Sequence, residues 1–341
     1  MKFEEFKGWL SLASPPKFST TLIPFVLGSV LAWSEGHSPD FLSFFISLLA
    51  VILLTAFCFV LNASSVYEDL RNSRILPAHD STHHRHHRTH LSGFHTTATT
   101  GRFEEFLSGR ISVEKAIFGA YLCAALAIPL GFILQFILNT GELTLPIGLI
   151  GIFIAYSYSR GLKLSYIGLG ELALAIGVGF ITILSGFYIQ AHSISITPLI
   201  AALPFMIDVF KMKIAREIPD YDYDRAINRI NLVVRFSKNF AYCIYAPLTL
   251  ITWLSFIPMF VTGLISVPIA IFLLAIPAYF SFKSAFISLR LCRHAGTGER
   301  NEKEKRSEKK AVMEMCKNGF IGMTLIPAAL ITALLPELLL I

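Results

Sequence analysis

Residues 41–62 read FLSFFISLLAVILLTAFCFVLN, a run without one charged side chain. A helix needs roughly 17–25 such residues to cross hydrocarbon. Inside lipid the backbone must satisfy its own hydrogen bonds, so a run of this kind is a spanning helix and not an open strand. Outward from it, apolar runs recur at 18–34, 116–138, 145–159, 168–190, 196–212, 239–260, 264–285 and 319–339. The expected fold class is therefore all-α: a polytopic membrane protein whose nine transmembrane helices form a single domain over residues 1–341. The first run has the length of a signal peptide. It lacks a small-residue cleavage pattern before its polar flank, and eight more runs follow, so it is read as structure.

Composition agrees. Of the 341 residues 54% are hydrophobic and 15% charged, where a soluble domain carries about a quarter charged residues. The mean hydropathy is +0.62. All 29 Lys and Arg lie in 1–17, 63–115, 160–167, 211–238 and 283–317, whereas 35–40, 139–144, 191–195, 261–263 and the C-terminal end hold none. Basic loops stay cytoplasmic. The expected topology is a multi-pass protein of the cell membrane with its N-terminus cytoplasmic, its C-terminus outside and only short external connections. The net charge of +6 needs no nucleic-acid partner, because basic residues facing anionic headgroups account for it. The cysteines, Cys58, Cys123, Cys243, Cys292 and Cys316, have no CxxC spacing and predict neither a disulfide framework nor a zinc site.

Three cytoplasmic segments are long. Residues 63–115 carry acids, a histidine-rich insert and SGRIS at 108–112; 211–238 is rich in aspartate; 286–317 reads as a charged linker with helical flanks. The two acidic segments follow the second and sixth runs, so acids reach one membrane face twice, four spans apart. That pattern points to an internal duplication.

The clearest chemical signal is Glu217-Ile-Pro-Asp220-Tyr-Asp222-Tyr-Asp224-Arg225. On a helix Glu217, Asp220 and Asp224 share a face, and like charges at that spacing repel unless a cation joins them. Hard oxygen ligands of this kind suit Mg²⁺, which keeps positions for substrate phosphates. A solvated acidic loop balanced by Arg216, Arg225 and Arg229 is the plainer alternative. A second cluster, Tyr67-Glu68-Asp69 after Asn62, ends the second run, where an acid is either a functional group or an ordinary helix-end charge. The third segment is AYSYSRGLKLSYIGLGE, 155–171. Its Arg160 and Lys163 suit phosphate oxygens, and Tyr156 and Tyr158 offer faces to a cation. An interfacial aromatic belt with basic anchors reads the same way. In the histidine-rich stretch, His83, His87 and His90 share a helical face that suits a transition metal; a polar loop is the favoured reading.

Together these segments resemble the UbiA superfamily of intramembrane prenyltransferases, and within it the 1,4-dihydroxy-2-naphthoate polyprenyltransferase branch of menaquinone biosynthesis. The likeness rests on AYSYSRGLKLSYIGLGE, GFYIQ at 186–190, EIPDYDYDRAINRINLVVR at 217–235, SGRIS and PFVLG at 24–28, in family order over most of 15–260. It implies a nine-helix bundle around a lipid-accessible cavity. It also implies two aspartate motifs that hold Mg²⁺ and a polyprenyl diphosphate. The implied reaction transfers the prenyl group to a small aromatic acceptor resembling 1,4-dihydroxy-2-naphthoate, within membrane lipid. The implied metal ligands are Asp69, Asp220, Asp224 and Glu217; the first three are also the catalytic set. Arg160, Lys163 and Arg229 would bind diphosphate, and Tyr67, Tyr156 and Tyr158 would shield the cation or hold substrate. The first motif departs from the family pattern NDxxDxxxD: the Asn falls on Ser65 and the next Asp on Val66, leaving Asp69, with Asn62, Glu68 or Asp80 to compensate. Two other classes compete. A transporter would carry ionisable groups near mid-span, whereas here Asp208 sits near the cytoplasmic end of the sixth run and the acids gather at one face. A catalytically silent homologue binding lipid or a partner protein fits the eroded first motif but not the intact second.

The charge asymmetry makes a direct prediction. A cysteine introduced as Arg300→Cys is expected to react with membrane-impermeant maleimide only after the cytoplasmic face is opened; labelling from outside intact cells contradicts the topology.

Overall fold

The computed structural model describes residues 3–73, 103–294 and 301–338. An amphipathic helix α1 (Phe3–Ala13) lies before α2 (Ser19–Ser34) and α3 (Phe41–Asn72). After the short α4 (Glu104–Leu107) come α5 (Val113–Ile137), α6 (Thr144–Ser159), α7 (Gly170–Ala191) and α8 (Thr197–Glu217). Short helices α9 (Tyr221–Ala226) and α10 (Leu232–Phe236) lead to α11 (Lys238–Leu254), α12 (Ile257–Val261), α13 (Val267–His294) and α14 (Glu302–Leu338). Among the described residues every element is helical. Each of the nine expected runs falls on a helix.

Six of these stretches are long and apolar enough to cross a membrane: α3, α5, α7, α11 with α12, α13 and α14; α6 is a shorter apolar helix. The first and sixth expected spans differ for physical reasons. Helix α2 has only 16 residues, and α8 carries Asp208 and Lys211 within its apolar run. That buried pair is matched in place. Asp208 forms an ion pair with Lys211, Thr252 Oγ1 donates to Asp208 Oδ1 at 2.9 Å, and Lys211 Nζ donates to Thr249 at 3.1 Å and Ser281 at 3.3 Å. Removing either charge would strand the other in the interior, which costs about 3–5 kcal/mol.

Contacts run in sequence from α3 through α5, α6, α7, α8, α11, α13 and α14 to α2, which closes the circuit against α3 and α7. Two apolar cores result. One joins α2, α7, α8 and the later helices; the other joins α1, α3, α4 and α5, and Tyr223 of α9 reaches into it with Tyr166 and Ile227 of the connecting segments. Where a linker was expected over 286–317, α13 extends to His294 and α14 starts at Glu302, so most of that segment is helical. Tyr242 donates to Glu308 at 2.8 Å and Lys283 pairs with Glu314 at 3.0 Å, tying charged turns of α14 to α11 and α13.

The cysteine reading is corrected. Cys243 of α11 and Cys292 of α13 form a disulfide across a sequence separation of 49. Their partnership depends on which helices pack together, and no local spacing encodes it. The histidine-rich stretch, with Asp80, His83, His87 and His90, lies outside the described residues.

The tightest seam joins α2 to α7, and it is built from PFVLG and GFYIQ. A Cβ on Gly28 would stand 2.0 Å from the Ile183 carbonyl oxygen, and one on Gly186 2.0 Å from the Phe25 carbonyl oxygen. Ser29 Oγ donates to the Gly186 carbonyl at 3.1 Å. Gln190 accepts from Trp33 Nε1 at 2.8 Å and from the Asp40 N–H at 2.9 Å. Small residues let membrane helices approach this closely. Because the neighbouring atoms are backbone, no side chain can swing away. Gly28→Ala and Gly186→Ala are each expected to destabilise by about 2 kcal/mol or more. Gly148→Ala on α6, where nothing lies within 4 Å of the added carbon, is expected to be neutral. Thermal unfolding of the detergent-solubilised protein checks this; an unchanged midpoint for Gly28→Ala contradicts the close crossing.

Candidate functional site

The two acidic clusters end two long helices. Helix α3 continues past its apolar run to Asn72, so Glu68 and Asp69 sit on its last turns. Helix α8 stops at Glu217, before Pro219, and the chain makes a turn before α9 begins at Tyr221. Proline cannot supply the N–H that would continue the helix, so the expected single helix through Glu217, Asp220 and Asp224 is interrupted. Asp220 and Asp224 keep helical spacing, with the Asp224 N–H on the Asp220 carbonyl at 2.9 Å.

At the second motif Asp224 is held from two sides. Arg229 Nη1 lies 3.4 Å from its Oδ1 and Asn231 Nδ2 donates to its Oδ2 at 2.6 Å. Asn231 also caps α10 by accepting from the Val234 N–H at 2.8 Å. Burial pushes the Asp224 carboxyl above the ordinary range, more than the adjacent Arg229 lowers it. Burial, with Asp220 adding to it, pushes the Tyr223 hydroxyl up to about 12. Glu217 pairs with Lys213, while its Oε2 and the Oε2 of Glu171 are buried without a hydrogen-bond donor among the described residues. Glu171 Oε1 in turn accepts from the Leu232 N–H at 2.8 Å, anchoring the loop after the motif.

At the first motif the carboxylates are already answered by cations. Arg160 pairs with Glu68 and donates from Nε to Ser65 Oγ at 3.0 Å. Asp69 Oδ2 takes Tyr166 OH at 2.5 Å and Lys163 Nζ at 3.3 Å. Ser159 donates to Asn62 Oδ1 at 2.9 Å. Val66 is buried in the α3–α5 core. Tyr166 joins the halves: while its hydroxyl meets Asp69, the Arg229 guanidinium lies 5.6 Å from its ring centre. Burial, and then the Asp69 hydrogen bond, raise the Tyr166 hydroxyl far above its usual range.

Between the motifs and the seam lies a mostly apolar cavity of about 320 Å³. Its polar end is lined by Asn62, Tyr158, Lys213, Arg216, Asp220 and Arg229. Arg229 is buried, and its Nε meets no acceptor; Nη2 lies 3.4 Å from the Tyr158 hydroxyl. The rest of the wall is uncharged and mostly apolar, with hydroxyls such as Ser47, Thr55, Thr182 and Ser185 among it, and Gly148 and Gly151 of α6 face open space.

Of the residues singled out from sequence, Asp220, Arg229 and Tyr158 line the cavity, with Asp224 bonded to Arg229. Asp69, Arg160 and Lys163 form the first-motif cluster beside it. Tyr67 does not join them: it packs on Phe103 and Phe106, with ring centres 5.8 and 4.9 Å away. Tyr156 stands outside the cavity against Gly161. Among the described residues, no three carboxylates, imidazoles or thiols are grouped to hold one ion. Sequence reasoning passed over Glu171, Lys213, Arg216, Tyr166 and Asn231. Lys213 and Arg216 lie four and one positions before Glu217, and Glu171 and Tyr166 lie within the quoted 155–171 segment. Asn231 sits in the tail of the second motif. Spacing marks them as neighbours of the site but not as its lining.

The sequence model of the UbiA prenyltransferase family matches residues 21–290, and the chain belongs to that family. UbiA prenyltransferase domain-containing protein 1 of Xenopus tropicalis is 27% identical over 274 residues, 80% of this chain and 72% of that protein. Two solved structures share the fold at 17% identity. A structure described as digeranylgeranylglyceryl phosphate synthase in membranes superposes with a TM-score of 0.62 over 98% of this chain and all of that one. A UbiA homolog from Archaeoglobus fulgidus bound to DMAPP and Mg²⁺ superposes with a TM-score of 0.59 over 92% of this chain and 98% of that one. The fold is an all-helical, multi-pass membrane bundle of this family.

Proposed function

We propose that the chain is a prenyltransferase that moves a polyprenyl group from its diphosphate to a small aromatic acceptor. The observation that carries this reading is the cavity itself: an apolar chamber whose one polar end gathers Lys213, Arg216, Arg229 and Asp220. Such a shape takes a molecule with a long apolar tail and an anionic head. The UbiA homolog with DMAPP and Mg²⁺ supports a prenyl diphosphate as that molecule. The likeness of 155–171 and 217–235 to the naphthoate branch supports a 1,4-dihydroxy-2-naphthoate-like acceptor, and so a step of quinone biosynthesis.

The second motif fits a divalent ion. Asp220 and Asp224 offer carboxylates one helical turn apart, and substrate phosphates would complete such a set. When bound, Mg²⁺ would neutralise charge on the departing diphosphate. Lys213, Arg216 and Arg229 face that same charge from the cavity wall, where the low dielectric strengthens their attraction. Asn231 and Arg229 keep Asp224 oriented. As the C–O bond to the diphosphate breaks, its electron pair leaves on oxygen and an allylic cation remains. The apolar wall excludes water from it, and the Tyr158 ring offers a π face. An electron-rich ring carbon of the acceptor then forms the new C–C bond, and the ring loses a proton or its carboxylate as CO₂. A silent, lipid- or partner-binding homologue, favoured by Ser65 and Val66, predicts no turnover with any donor and acceptor pair.

The test is incubation of the purified protein with prenyl diphosphates of graded length and aromatic acceptors, with Mg²⁺ or chelator. Metal-dependent prenylated product is expected, and its absence for every pair overturns the reading. Asp220→Ala and Asp224→Ala are each expected to lower turnover at least a hundred-fold, the scale of losing one electrostatic stabiliser (roughly 10²–10³); Asp220→Ala should retain the unfolding midpoint, whereas Asp224→Ala should lower it because the buried Arg229 loses its partner. Near-normal turnover by folded Asp220→Ala removes it from the metal site. Gly148→Leu and Gly151→Leu are expected to fill the cavity without displacing neighbours. The profile of accepted donors should then move to shorter chains at unchanged stability; an unmoved profile takes the prenyl tail out of this cavity.

A further inference from the structure

The resemblance places a metal-binding aspartate motif on each half of the bundle, and the two halves of this chain do not match. At the first motif the family's asparagine is Ser65, whose hydroxyl already receives Arg160 Nε at 3.0 Å. The family's next aspartate is Val66, 4% exposed and packed in the α3–α5 core, so no carboxylate can be presented from there without burying it in apolar surroundings. The oxygen of Asn62, one turn earlier, accepts from Ser159. Asp69, the surviving aspartate, already holds Lys163 and Tyr166. A divalent ion at this motif would have one carboxylate from the retained pattern and a wall of cations beside it.

Charge explains how the motif is stable in that form. Two carboxylates with one divalent ion make a neutral unit. Here Glu68 and Asp69 make the same neutral unit with Arg160 and Lys163. A guanidinium presents a planar fork of donors that matches phosphate oxygens two at a time, and an ammonium adds a point charge. The second motif keeps its acids: Glu217, Asp220 and Asp224 are retained, and Asp220 lines the cavity.

We propose that the first motif takes no divalent ion and that Arg160, steered by Glu68 and Ser65, supplies with Lys163 the positive charge a second ion would bring, so that the protein binds one divalent ion per donor, at Asp220 and Asp224. This rests on the prenyl diphosphate reading above. Arg160 and Lys163 meet the diphosphate from the α3 side, and the single ion meets it from the α8 side. The arrangement tolerates the loss of Ser65 and Val66 as ligands because the charge is replaced.

The test counts ions without turnover. Full-length protein in detergent is saturated with a geranylgeranyl S-thiolodiphosphate, whose sulfur bridge resists ionisation, and titrated with Mn²⁺ read by electron paramagnetic resonance. One Mn²⁺ per chain is expected for the unaltered protein, and none for Asp220→Asn, which keeps the side-chain shape. Arg160→Met is expected to keep one Mn²⁺ and to weaken donor binding roughly ten-fold or more, the scale of a lost charge-assisted hydrogen bond. Two ions on the unaltered protein overturn the proposal and leave the prenyltransferase reading standing, as does unweakened donor binding by Arg160→Met. Donor bound with no ion overturns both the single-ion site and its assignment to Asp220 and Asp224. No donor binding under any condition overturns the function on which the proposal rests.

Discussion

A charge taken out of water must be answered by a charge or hydrogen bonds within reach, or the structure does not hold. This constraint organises the bundle. Among the described residues, four of the buried acids, Glu105, Asp208, Glu217 and Asp224, pair with Arg110, Lys211, Lys213 and Arg229 respectively. Three of the four pairs lie on α8 or within a dozen residues of its end. Helix α8 is therefore less apolar than its neighbours yet can lie among them. The same pairs fix its rotation: Asp208 and Lys211 turn toward α11 and α13, and Lys213 and Arg216 turn toward the cavity.

The two apolar cores meet along the cavity, and charged bridges cross between them at the end that carries the acidic motifs. Tyr166 is the central bridge, with its hydroxyl on one acidic motif and its ring beneath the arginine of the other. Glu171 adds a second tie, from the start of α7 to the loop before α10. An apolar cavity and concentrated charge thus adjoin each other. The close crossing of α2 and α7 closes the apolar part, and the ends of α3 and α8 with the loop before α7 build the charged part.

The bundle was legible because spanning helices write themselves as long apolar runs, and 41–62 alone excludes most alternatives. Three of the nine expected spans, α2, α6 and α8, fall outside the six long apolar helices for local reasons: α2 and α6 have 16 residues each, and α8 carries an internal ion pair. The motif order led to Asp69, Asp220, Asp224 and Arg229. It did not show that Tyr67 faces Phe106, because the side a helical tyrosine presents depends on its packing partner. Nor did it show that Cys243 meets Cys292, which depends on α11 lying against α13. The lining cations Lys213 and Arg216 look in sequence like ordinary positive-inside residues, and only the rotation of α8 separates the two roles. PFVLG and GFYIQ read as family marks; their glycines prove to be contact points of a seam.

Helix α14 has one further consequence. Its 37 residues span about 55 Å at 1.5 Å per residue, well beyond the roughly 30 Å of hydrocarbon. The surplus lies at its charged start and is braced by Tyr242 and Lys283. A braced helix that runs past the lipid is a firm post. It gives an antibody fragment or a fused scaffold something firm to grip, continuous with the bundle, so that the position of the attached mass reports the orientation of the buried helices.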